Sequence, residues 1–117
     1  MQPDSIACYL RTLRKRSGFS QRELAEILGF HSEIPVARHE RSITIASLLT
    51  ALSYEVIFRA RVSDIFPGLY QTVEASIEER LTKLENELQQ RSAKGRHAAS
   101  TARKLEFLWE RKNPETI

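Results

Sequence analysis

One cysteine, four glycines and four prolines in 117 residues already exclude several kinds of protein. Cys8, the lone thiol, cannot close an internal disulfide, which rules out a disulfide-stapled secreted scaffold and favours a reducing cytoplasm. So little glycine and proline disfavours a turn-rich sandwich and favours helices. No apolar run approaches the ~18 residues of a membrane span. The start, MQPDSIACYLRTLRK, lacks the basic-then-apolar order of a signal peptide. His31, His39 and His97, taken with Cys8, have no metal-ligand spacing. There is no Ser/His/Asp set and no glycine-rich phosphate loop, so neither an enzyme nor a bound metal or cofactor is expected. Internal repeats and low-complexity tracts are also missing.

What is present suits one domain plus an extension. Hydrophobic residues make up 41% and charged residues 28% of the chain, enough apolar material for a globular core. The net charge of +3 hides a block pattern. Residues 1–45 carry +2, residues 46–70 balance, residues 71–90 carry −3 and residues 91–117 carry +4. Such alternation assigns different tasks to different stretches.

Helix starts and stops divide the first ~70 residues into five short helices. Asp4 or Ser5 can cap the first, with Ile6, Leu10 and Leu13 on one face and Gly18 as its stop. Ser20 caps the second. Glu23 completes a capping box, Phe19 and Leu24 occupy the staple positions, and Gly29 ends the helix. A short third helix covers Val36 to Arg41. Thr44 can cap a fourth through ASLLTALSYEVIF. A fifth lies in VSDIFPGLY, broken or bent at Pro67-Gly68. A long helix then runs to about Gln90. Its Ile77, Leu81, Leu84 and Leu88 step by four, three and four, as in a coiled-coil seam. After a break at Gly95, a last helix over residues 101–111 offers Leu105, Leu108 and Trp109 as an apolar patch. Cys8 reads as a small, partly buried helix residue.

Two helices joined near a glycine, the second short, inside a small helical bundle, form a helix-turn-helix arrangement. In that arrangement the start of the first helix holds phosphates and the second sets its side chains against base edges. Ser20, Gln21 and Arg22 supply polar groups at the first position. Arg38 and Arg41 are the long polar side chains of the second. Ala25 is the small residue where the two helices would cross.

The segment YLRTLRKRSGFSQRELAEILGF, followed by VARHERS and SLLTALSYEVIFRARVSDIFPGLY, resembles the XRE family, the Cro and phage-repressor type of helix-turn-helix. The likeness spans residues 6–70, and LRKRSGFSQRELAEILG with a following RxE is its most specific part. The resemblance implies an all-α fold: a five-helix repressor-like helix-turn-helix domain over residues 1–70, then a long helix and a short final helix over residues 71–117. It implies that Gln21 holds a phosphate and that Val36 is buried. Glu33, Ile34 and Arg38 match positions that face bases. Arg14 and Glu40 match a structural salt bridge that neutralises a carboxylate on the DNA-facing side.

The chain departs from this pattern in three places. Gly29 to Glu40 is one residue longer than the usual spacing. Ser42 stands where the family often has glycine, at about 1 kcal/mol if the left-handed conformation is kept. Ile34-Pro35 replaces two polar residues. Proline suits a first helical position, because its missing N–H would be unpaired there anyway. It also pushes the preceding residue out of the helical region. The recognition helix is therefore expected to start at Pro35, with His31, Ser32 and Glu33 in a loop that presents them to DNA. Ile34 either meets a thymine methyl or packs in the core. Arg38 is the leading candidate for a bidentate guanine contact.

These readings converge on a sequence-specific transcriptional regulator, a cytoplasmic homodimer that binds double-stranded DNA and represses by occupying an operator. The 77–88 seam fits two arrangements, a dimer interface or packing against the chain's own last helix. The alternative function is a protein-interaction module, for example of antitoxin type, whose C-terminal helices bind a protein partner.

Overall fold

The structure, a computed structural model, describes residues 8–91 and 95–116. The expected helix start at Asp4 or Ser5, with Ile6, lies outside them. All described regular structure is helical. The order is α1 (Leu10–Ser17), α2 (Gln21–Leu28), α3 (Ile34–Glu40), α4 (Leu48–Phe58), α5 (Val62–Ile65), α6 (Pro67–Gln90) and α7 (Ala98–Lys112), closed by a 3-10 turn at Pro114–Thr116. No described helix is long and apolar enough to cross a membrane. The chain forms two compact units, Met1–Val73 and Glu74–Ile117.

In the first unit, local signals set most helix ends. Gly18 closes α1 with φ +84°. Ser20 and Glu23 open α2 with a complete capping box, Ser20 Oγ accepting from Glu23 N at 3.0 Å and Glu23 Oε1 from Ser20 N at 2.8 Å. Cys8 precedes α1 rather than sitting on it, and is half-buried. The cap of α4 is Ser47, whose Oγ accepts from Thr50 N, and not Thr44. Ser47 holds the extended backbone a cap residue needs, whereas Thr44 lies in the irregular lead-in. Pro67 opens α6 immediately after α5 ends, using the first-turn tolerance for a missing N–H.

The core of this unit is Leu10, Leu24, Ala25, Val36, Tyr54 and Ile65, one or two residues from each of α1 to α5. Tyr9 N donates to Ile65 O at 2.8 Å and ties the entry of α1 to the end of α5. The short helices are individually too short to persist in water, so this shared burial holds them.

In the second unit, α7 runs back along α6. Arg111 pairs with Glu78, and Lys112 with Glu85. Leu88 and Leu108 are its buried hydrophobics. Of the two arrangements open to the 77–88 seam, the described chain has the fold-back. Leu88, only 1% exposed, is closed to a second copy in this arrangement, while Ile77 and Leu84 stay 42% and 40% exposed. Leu81 is half-buried. Trp109 does not join Leu108 in the interior and is mostly exposed, since neighbouring helix residues point about 100° apart.

Candidate functional site

The turn between α2 and α3 is built by backbone hydrogen bonds. Gly29 is left-handed at φ +83°. Its N–H donates to Glu26 O, and Phe30 N donates to Ala25 O at 2.9 Å, which closes α2 in a Schellman turn. Ser32 Oγ then accepts from Ile34 N at 3.3 Å and satisfies the first N–H of α3. The helix begins at Ile34 with Pro35 as its second residue, not at Pro35. The expected displacement of Ile34 from the helical region does not occur. Glu33 is already helical in backbone and accepts the first helical bond from Ala37 N. Proline at the second position still removes only an N–H that the first turn leaves unpaired.

The far end of α3 repeats the device of α2 without glycine. Ser42 N donates to His39 O and Ile43 N to Arg38 O at 2.9 Å, with Ser42 left-handed at φ +56°. The left-handed conformation expected at Ser42 is therefore kept, with a β-carbon where glycine would carry none.

α3 divides cleanly between inside and outside. Val36 is fully buried, and His39 nearly so. Arg38 and Arg41 are exposed and make no side-chain ion pair or hydrogen bond among the described residues. Ile34 is exposed rather than in the core, and Ser32 and Glu33 are half-buried. On α2, Arg22 is exposed and likewise unpaired, and Ser20 keeps its hydroxyl proton free while its oxygen caps the helix.

Arg14, Gln21 and Glu40 come together from α1, the first turn of α2 and the last residue of α3. Arg14 Nε donates to Glu40 Oε2 at 2.5 Å and Nη2 to Oε1 at 3.2 Å, a bidentate pair. Arg14 Nη1 also donates to Phe19 O at 2.9 Å, just before the α2 cap. Gln21 Nε2 donates to Glu40 Oε1 at 3.1 Å. The side chains of Arg14 and Glu40 are 10% and 2% exposed, so the pair lies out of water. The resemblance implied the arginine–glutamate pair. It did not imply that Gln21 spends one amide proton on the same carboxylate.

A second polar contact has no clear signal in the sequence. His39 Nδ1 lies 2.8 Å from Tyr54 Oη, the rings meeting edge to face with centroids 5.9 Å apart. Cys8 Sγ donates to His39 O at 3.7 Å. Burial lowers the His39 pKa below the usual histidine value. Burial first, then the Glu40 carboxylate, pushes the Tyr54 hydroxyl far above its usual range, so it stays neutral. Burial also raises the Cys8 thiol, which favours its protonated form. No fully buried side-chain nitrogen or oxygen among the described residues lacks a partner.

The arrangement thus holds α1, α2 and α3 rigidly while leaving Arg22, Ile34, Arg38 and Arg41 exposed. In comparisons with known proteins, no family model, no curated protein and no solved structure matches this chain.

Proposed function

We propose that the chain is a helix-turn-helix transcriptional regulator that binds double-stranded DNA in a sequence-specific way, α2 and α3 forming the reading pair. It acts as a cytoplasmic homodimer on a twofold operator and represses by occupying it. The observation that carries this reading is the Arg14–Glu40–Gln21 cluster. It locks the start of α2 to the end of α3 and neutralises a carboxylate that would repel phosphate, while Arg38 stays exposed and unpaired one turn into α3. In this reading Arg38 contacts a guanine edge, and Ile34 at the helix front meets a thymine methyl. Ser20, Arg22 and the first-turn N–H groups of α2 hold phosphates, and Gln21 contributes its second amide proton. Arg41 supports the backbone contact, and Ser32 and Glu33 border it.

Selection from a genomic DNA pool with purified protein tests the reading. Enrichment of a twofold-symmetric sequence supports it, and recovery of bulk DNA only would refute it. Arg38→Ala is expected to relax discrimination at one base pair by about 1–3 kcal/mol, whereas Gln21→Ala weakens all sequences alike. Equal losses across sequences from both substitutions would remove Arg38 from the reading role.

One observation favours a second reading, a protein-interaction module of antitoxin type. Phe107 and Trp109 are both more than half exposed on α7, and large exposed aromatics mark protein contacts. Loss of a co-purifying partner on Phe107→Ala/Trp109→Ala, with DNA selection negative, would favour it over the first.

A further inference from the structure

α4 is apolar on both of its faces. One face supplies Thr50, Ala51 and Tyr54 to the interior. The other carries Leu48, Leu49, Leu52 and Val56, all between 45% and 77% exposed. At about 100° per residue these four fall within an arc of about 100°, so they form one stripe. The only acidic or basic residue of α4, Glu55, borders the stripe about 20° from Leu48 and accepts from Val62 N at 2.9 Å. A helix that is hydrophobic all round is ordinarily a buried helix.

The segment before α4 adds two more exposed aliphatic residues. Ile45 is 73% exposed and shares an apolar cavity of about 100 Å³ with Ala46, Ala51 and Phe66. Ile43, two residues earlier, is also exposed. Together these six residues leave roughly 700 Å² exposed, main chain included, against the few hundred Å² of the largest apolar patch on an ordinary monomer.

We propose that this face, α4 with residues 43–46, is the surface on which a second copy of the chain docks. Two considerations select a second copy. A twofold contact must be self-complementary, and a neutral aliphatic stripe meets its own image without placing like charges together. Two copies that covered all of it would bury up to about 1,400 Å², inside the range of specific, stable interfaces. The cavity beside Ile45, at the flank of the stripe, receives an aliphatic side chain of the partner and anchors the contact there. The interface thus lies on the first unit, not on the 77–88 seam. The inference rests on the twofold part of the proposed function and not on DNA contact, so it is tested without DNA.

The test is sedimentation equilibrium of the full chain at increasing concentration. A dimer is expected for the natural sequence. Leu49→Glu/Val56→Glu should raise its dissociation constant by about a hundredfold or more, because each copy would bury two carboxylates against apolar surface. Leu49→Ala/Val56→Ala, which leaves α4 a good helix former, should raise it about tenfold. Both substituted positions are exposed, so far-UV circular dichroism should be unchanged. Ile77→Glu/Leu84→Glu should leave the dimer intact. A natural chain that stays monomeric to about 100 µM overturns the proposal. So does a dimer that survives both α4 variants, or one that Ile77→Glu/Leu84→Glu dissociates. A negative DNA selection with an α4-dependent dimer would refute DNA reading alone.

Discussion

Replacing Glu40 with alanine would strand the Arg14 guanidinium in the interior with Phe19 O as its one remaining partner. Removing one member of a buried ion pair costs about 3–5 kcal/mol, a large part of a small domain's stability. Urea denaturation of Glu40→Ala should show that loss, and Arg14→Met/Glu40→Leu should recover most of it. A loss under about 1 kcal/mol would mean that the pair is dispensable. His39 makes a different prediction. Its pKa is lowered on folding, so at acid pH the unfolded chain takes up a proton that the folded chain refuses. Its contribution is complete above the ordinary histidine value of about 6.5 and is lost as pH falls from there towards the lower folded value. Thermal unfolding followed from pH 7.5 to 5 should show this fall, and His39→Gln should flatten it. At this scale the sequence was legible only in part. The Arg14–Glu40 pair and the buried Val36 are both implied by the family resemblance, and both are present. The bond from Gln21 to Glu40 and the contact of His39 with Tyr54 join residues 19 and 15 positions apart, which no local spacing announces.

Helix ends were the most readable elements, because a cap is a conversation among four or five neighbouring residues. The Ser20–Glu23 box and the stop at Gly29 stand where the sequence places them. Helix ends depart from the local signals where two adjacent signals compete. Ser47 displaced Thr44 as the cap of α4, and α3 started at Ile34 because Ser32 and Glu33 together organise the turn in front of Pro35. Ser42 is the element-scale cost. It ends α3 in the left-handed region, which disfavours any residue with a β-carbon. Ser42→Gly should therefore stabilise the chain by about 0.5–1 kcal/mol, seen as a rise of a few degrees in Tm. A decrease would show that the Ser42 side chain makes up for its backbone strain. α4 is a helix as its sequence predicts, and its two-sided apolarity acquires meaning from Tyr54 and Ala51 facing inwards.

Over the whole molecule, the two units follow the change in pattern near residue 70, from short capped helices to one long helix and its return. A dimer through α4 would make stability a property of concentration. Tm should rise with protein concentration for the natural chain and stop doing so in Leu49→Glu/Val56→Glu. The all-helical class and most helix ends are set by the sequence alone, because they follow from capping chemistry and from a period of about 3.6 residues, whereas the burial of Val36 is implied only by the family resemblance. Packing in three dimensions adds that Gln21 joins Glu40, that Arg111 and Lys112 of α7 pair with Glu78 and Glu85 of α6, and that one side of α4 is left bare. Those outcomes depend on which surfaces meet when helices pack. Apolar residues at helical spacing are equally suited to the interior, to a neighbouring helix and to a second copy.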